Sequence, residues 1–207
     1  FIVAFSIGPL LLFVASLQAA DFPRVTRDLQ ALYTFEADSG DTIKDRSGVR
    51  PQLDLKIEKP AAVQWQGGSL LVRSSTRIQS SKPAKKIIDA AKRSGSITIE
   101  AWIKPWSDSQ EGPARIVSLS GGPSDRNFTL GQDEKRYDVR LRTTSTSKNG
   151  IPSTPAPNNS ARAVLTHVVF TRDAAGSARI YINGRQQTSK RVVGRLSNWG
   201  ESFRLLL

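Results

Sequence analysis

The run Leu165-Thr-His-Val-Val-Phe-Thr-Arg-Asp-Ala-Ala-Gly-Ser-Ala-Arg-Ile-Tyr-Ile-Asn-Gly-Arg185 reads as a complete antiparallel hairpin. An extended half, a turn at Asp173-Ala-Ala-Gly176, a second half built on Ile180, Tyr181 and Ile182, and a closing Asn183-Gly184 follow in order. Asn-Gly supplies the positive φ angles that a tight reversal between antiparallel strands demands. Upstream, Ser96-Ile-Thr-Ile-Glu-Ala-Trp-Ile-Lys-Pro-Trp106 alternates Ile97, Ile99, Ala101 and Ile103 with Thr98, Glu100, Trp102 and Lys104. Period two marks a strand with two distinct faces. The two segments together predict a β-sandwich.

A third landmark lies further upstream, where Leu32-Tyr-Thr-Phe-Glu-Ala-Asp-Ser-Gly-Asp-Thr-Ile-Lys-Asp-Arg-Ser-Gly48 reads as an opening strand followed by a loop ending Asp-x-Ser-Gly. In this order the three segments resemble the laminin G-like family of the concanavalin A-like lectin/glucanase superfamily. Its members carry a "(S/T)-ϕ-x-ϕ-(E/S)-x-W-ϕ-(K/R)-P" strand and, later, a "W-x-H-V-A-x-T-x-D-x-x-G" hairpin ending in "Y-ϕ-(D/N)-G". Leu165 departs from the pattern, standing where the family has Trp. The resemblance implies an all-β, antiparallel two-sheet jelly-roll sandwich. It puts Trp102 at a core position and gives His167 a structural hydrogen bond to a neighbouring strand or turn.

Other elements are predicted from local pattern. Leu29 to Phe35 is expected as the first strand, and Gly67-Gly68 divides Val63-Gln-Trp65 from the short strand Ser69-Leu-Leu-Val72. Pro83 to Arg93 is the one helix expected in the domain, with Ile87, Ile88 and Ala91 at helical spacing and Ser94-Gly95 to stop it. Ile116–Ser118, Phe128–Leu130 and Tyr137–Arg142 are expected strands. Thr143 to Ser160, rich in Thr, Ser, Asn and Pro, lacks the apolar content to order itself as strand or helix and is expected to form a long surface loop. Loops of this length on sandwiches are frequent ligand sites, which makes Asn149 a candidate contact.

The chain has 207 residues and 38% hydrophobic content, enough for one core and cramped for two. Residues 1–20 form an apolar run closing on Ala-Ala before Asp21, the pattern of a secretory signal peptide whose basic n-region is missing. Residues 21–207 are then expected to be one laminin G-like domain, truncated before its last strand. That places the protein in a secreted, periplasmic or cell-surface setting, in contact with a membrane only if the leader stays uncleaved. There is no Cys, which removes disulfides, thiolate metal sites and a cysteine nucleophile.

The chemistry-bearing residues are few. Glycosidases of this superfamily need two carboxylates on one strand face, in a Glu-x-Asp-x-(x)-Glu run that is absent, and His167 is the sole histidine with no Gly-x-Ser-x-Gly elbow to serve. The expectation is therefore no enzyme. Asp38, Asp41 and Asp45 could supply hard oxygens to a structural Ca²⁺, the family's rim loops being calcium sites; the competing reading of Asp45 is a turn cap bonded to backbone N–H groups. Thirty Lys and Arg against eighteen Asp and Glu give a net charge of +12. With no recognition helix or aromatic-lined groove to read bases, acidic polysaccharide or an anionic surface suits this charge better than nucleic acid. Trp106, just past Lys104-Pro105, is a candidate for stacking on a sugar ring. The expected function is a non-catalytic binding module, within a larger multidomain protein, whose partners are polysaccharide, glycoprotein or another extracellular protein. The alternatives are a purely structural or interaction domain beside a catalytic or electron-transfer domain and, less favoured, a degenerate glycosidase.

Overall fold

The computed structural model describes residues 26–37 and 39–207. The signal reading (1–20) and Asp38 lie outside these residues. Short strands come first: β1 (Thr42–Ile43), β2 (Leu55–Ile57), β3 (Val63–Gln66), β4 (Ser69–Val72) and β5 (Ile78–Ser80). After helix α1 (Lys85–Ser94) follow β6 (Ile97–Ile103), β7 (Gln110–Ser120), β8 (Arg126–Glu134), β9 (Arg136–Leu141) and β10 (Thr154–Pro155). The chain then runs through β11 (Thr166–Arg172), β12 (Ser177–Ile182), β13 (Arg185–Arg191) and β14 (Arg204–Leu206).

The strands form an eight-stranded sheet, β1-β2-β5-β14-β7-β8-β9-β10, and a four-stranded sheet, β13-β12-β11-β6, while β3 and β4 make a separate hairpin. All strand pairings are antiparallel. The two sheets are the layers of a sandwich. Its core draws on alternate residues: Leu119, Phe128, Leu130, Val139 and Leu141 from the large sheet, and Ile99, Val168, Phe170 and Ile180 from the small one. Each such side chain, taken fully out of water, contributes ~1.5–3 kcal/mol.

The long hairpin folds as the sequence predicts, with Asn183 at φ 49° and Gly184 at φ 77° turning β12 into β13. Helix α1 begins two residues later than expected, at Lys85 with Ala84 as its N-cap, and runs one residue further, to Ser94. Gly95 closes it in the left-handed conformation (φ 64°) with its N–H donating to Ala91 O. Two expectations fail. Leu29–Phe35 is not a strand: Leu32 O accepts from Arg46 N and Leu32 N–H donates to a side chain, Asp45, so no ladder forms, and Phe35 has φ 55°. The 143–160 segment is also more ordered than its composition suggests. Thr154 and Pro155 pair with Val139 and Asp138 as β10, and Thr143, Thr154 and Ala156 are buried. An existing sheet edge lets two residues join a ladder that they could not form alone.

The helix is fastened to the sandwich by a buried ion pair. Lys86 Nζ lies 2.6 Å from Asp45 Oδ2, with side-chain exposures of 6% and 0%, and also donates to Val49 O at 2.8 Å. Burial pushes the Asp45 carboxyl upward, but Lys86 and the N–H groups of Ser47 and Leu53 outweigh it and hold the group below its ordinary value of 3.8. A depressed carboxyl stabilises the fold above that ordinary value and stops doing so as pH falls through the folded value. Lys86→Met, which leaves Asp45 buried and unpaired, is expected to cost about 3–5 kcal/mol at neutral pH in urea unfolding. The gap to the wild type should narrow as pH drops below about 4 and Asp45 protonates; a gap independent of pH would contradict this assignment.

Candidate functional site

Asp45 is a turn anchor. Its Oδ1 accepts Leu32 N–H (3.2 Å) and Ser47 N–H (3.0 Å), and its Oδ2 accepts Leu53 N–H (3.1 Å) besides Lys86. The ammonium thus stands against the carboxylate where a cation ligand would have to sit. Asp41 is engaged elsewhere, 2.6 Å from Lys56 Nζ and bonded to Thr42 Oγ1. Among the described residues no group of three or more His, Cys, Asp or Glu side chains is placed to hold a metal ion.

Trp102 is a clear correction. The family pattern suggested core packing on a central strand, yet β6 is the edge of the small sheet and Trp102 is 63% exposed on its outer face. The alternation of β6 sends Ile97, Ile99, Ala101 and Ile103 to the core, which leaves the intervening Trp102 outside. There it stacks on His167, directly opposite in register, with ring centroids 4.6 Å apart and planes 18° from parallel. His167 Nε2 in turn lies 2.9 Å from Glu100 Oε1. His167 therefore has the interstrand hydrogen bond expected of it. Two further tryptophans are anchored through their indole N–H groups: Trp65 donates to Gly40 O, and the buried Trp199 donates to Arg142 O while packing against Phe128.

Trp106 is 90% exposed, in the connection from β6 to β7. The connection is tethered, because Gln132 of β8 donates from Nε2 to Ser107 O at 3.2 Å. Asn149 sits at the other end of β8. Its turn is closed by Gly150 N–H to Ser147 O, and the adjoining Lys148 O accepts Arg126 N–H, six residues along β8 from Gln132. Six residues of strand span ~20 Å. The structure does not bring Trp106 and Asn149 together.

Between these two loops, the face of β7–β9 turned away from the core carries residues that the motif reading passed over. Ser118, Thr129 and Arg140 form one cross-strand row, and Arg115, Gly131 and Asp138 the next. Strand β8 is buried from Arg126 through Gln132 despite its alternation, so both of its faces are covered. Arg126 is only 1% exposed. Sequence alone scattered these arginines; only the register of β7, β8 and β9, with its bulges, gathers them.

The chain belongs to the concanavalin A-like lectin/glucanases superfamily, whose laminin G-type family model matches residues 80–207. No curated protein matches it in sequence. Among solved structures it is similar to botulinum neurotoxin type C, which depends on two ganglioside molecules to get into cells (TM-score 0.58, 14% identity, 87% of this chain and 43% of that one). It is also similar to the binding domain of botulinum neurotoxin DC in complex with rat synaptotagmin II (TM-score 0.58, 15% identity, 88% and 44%). A third, domain 4 of AbnA, an extracellular arabinanase from Geobacillus stearothermophilus, in complex with arabinotriose, is covered almost throughout (TM-score 0.54, 14% identity, 86% and 82%). At these identities the likeness is one of fold, and the chain spans less than half the length of the two toxin chains.

Because Lys86 already neutralises Asp45, adding Ca²⁺ is expected to leave the melting temperature unchanged. A rise that grows with Ca²⁺ concentration, as ligand linkage requires, would restore the metal reading.

Proposed function

We propose that this chain is a non-catalytic module that binds carbohydrate, secreted or displayed at the cell surface as part of a larger protein. The observation that carries the reading is Trp106, an indole 90% exposed on a loop tied to the sheet through Ser107. A large apolar ring held in water is unfavourable in the free protein, and a pyranose or furanose face laid on it removes both surfaces from solvent. The tether matters as well, since a mounted ring loses less freedom on binding than a floppy one. Support also comes from the fold relatives, one of which is seen with an arabinose oligomer and another of which depends on gangliosides. A protein partner is the second reading, favoured by the synaptotagmin complex of a third relative.

The non-catalytic part of the reading rests on the engagement of Glu100 with His167 at 2.9 Å and on the sequence's lack of the paired carboxylates that glycosidases use. Trp106→Ala is expected to weaken binding to glycans found on an array by about tenfold, an anchor-residue effect, with no change in melting temperature. Retained affinity in this variant would remove Trp106 from the site. Silence across neutral and acidic glycans, combined with capture of a defined protein, would favour the second reading.

A further inference from the structure

Four of the seven large apolar side chains exposed among the described residues, Trp102, Trp106, Val164 and Leu165, gather at one end of the small sheet. Strand β6 ends where β11 begins, with Ile103 opposite Thr166. The connection after β6 is tied to the segment before β11 by Ala163 N–H, which donates to Asp108 Oδ1. Along β6 and just beyond it, Ile103 packs on the core and Pro105 is buried, while Trp102, Lys104 and Trp106 alternate with them on the exposed side. On β11, Thr166 is buried, so its neighbours Leu165 and His167 take the outer face beside Lys104 and Trp102. Contiguous apolar surface left in water in this way marks a binding surface.

Both indoles are mounted rather than loose. Trp102 rests one face on the His167 imidazole, with centroids 4.6 Å apart, and His167 is itself held by Glu100. Since β6 is the edge of its sheet, the other side of Trp102 meets no strand among the described residues, and the ring stays 63% exposed. Trp106 is steadied through the next two residues, Ser107 by Gln132 and Asp108 by Ala163. Four residues of extended chain put the two positions ~13 Å apart. One sugar ring cannot stack on both, because stacked rings lie with centroids only ~4.5–7 Å apart. A linear chain can. Lys104 between the indoles and the Glu100–His167 pair behind Trp102 offer polar groups to sugar hydroxyls, and Leu165 offers an apolar floor to the C–H faces. Neither end of the strip is walled, Thr98 and Glu100 being exposed at one end and Trp106 at the other.

We propose that a linear polysaccharide lies along the outer face of β6, with one sugar stacked on Trp102 and another, further along the same chain, on Trp106. The inference rests on the carbohydrate-binding reading; it adds a second ring to the site and specifies the ligand as an internal stretch of an extended chain rather than a single terminal sugar. Its signature is dependence on chain length. A disaccharide reaches one indole, whereas a longer oligomer reaches both, and its second contact is then made within a complex already formed.

The test measures, by calorimetry at physiological ionic strength, binding of the dimers and hexamers of linear arabinan, xylan and polygalacturonate to the protein and to its Trp102→Ala and Trp106→Ala variants. The expected result is that at least one hexamer binds about tenfold or more tightly than its own dimer, and that Trp102→Ala removes most of this gain. Because Trp102→Ala also strips the stacking partner from His167, a measurement on the unaltered protein stands beside it: the hexamer is expected to move the indole N–H resonances of both Trp102 and Trp106. Hexamer binding that Trp106→Ala weakens, but that shows no advantage over the dimer and leaves the Trp102 indole unmoved, would overturn the inference and keep the carbohydrate reading. Hexamer binding that neither variant weakens would overturn both. No binding by any hexamer would overturn the inference, and silence of the glycan array as well would take the carbohydrate reading with it.

Discussion

The structure depends on one constraint: alternate side chains of two antiparallel sheets must leave water together. Val168, Phe170 and Ile180 of the small sheet and Leu119, Leu130 and Val139 of the large one are each fully buried. Since a strand sends successive side chains to opposite faces, this burial decides where every intervening residue goes. Trp102 and His167 are consequently sent to the outside of the small sheet, and Thr129, Asp138 and Arg140 to the far side of the large one, where Thr129 and Asp138 are nonetheless buried. Display is a by-product of core packing. Function can then be built on the displayed residues without disturbing the core.

A second layer of order comes from polar contacts at the rim. Asp45 gathers three backbone N–H groups and the Lys86 ammonium, joining the 45–53 turn to α1 across the edge of the sandwich. A carboxylate satisfied in this way is a structural part. Asp138 is the contrasting case: it is buried beside arginines, and burial pushes its carboxyl upward more than the Ser153 hydroxyl and Arg140 hold it down. A depression between α1 and the 49–51 turn, lined by Arg50, Lys85, Asp89 and Arg93, offers charge as well, but Lys85 is paired with Asp89 and Lys86 is turned inward to Asp45.

Sequence pattern made the sandwich legible because its signals are local. Asn183-Gly184 declares its own turn, Ile97 to Ile103 declares its own faces, and Gly95 ends α1 whatever packs around it. The failures are all non-local. Leu29–Phe35 has strand-like composition but meets only a turn, and Thr154-Pro155 becomes a strand because β9 offers an edge. Trp102 reads as core on the strength of family position, although the residues beside it already claimed the core face. The arginines show the same limit most plainly. Arg115, Arg126 and Arg140 are distant in sequence, and a bulge between Arg115 and Val117 puts the first of them in register with Gly131. No periodicity within one segment contains that information. Trp106 was legible because a Trp following Lys-Pro at the end of a strand has nowhere to be buried; the arginine face was not.

The central claim is that recognition occurs at the exposed Trp106 on the connection from β6 to β7. Amide and indole chemical-shift mapping during titration with an oligosaccharide of a glycan bound on an array tests this most directly. The account predicts perturbations clustered at the Trp106 indole, Ser107 and the neighbouring Gln132. Shifts confined to α1 and the 49–51 turn, or to Trp102 and His167 on the small sheet, would contradict it.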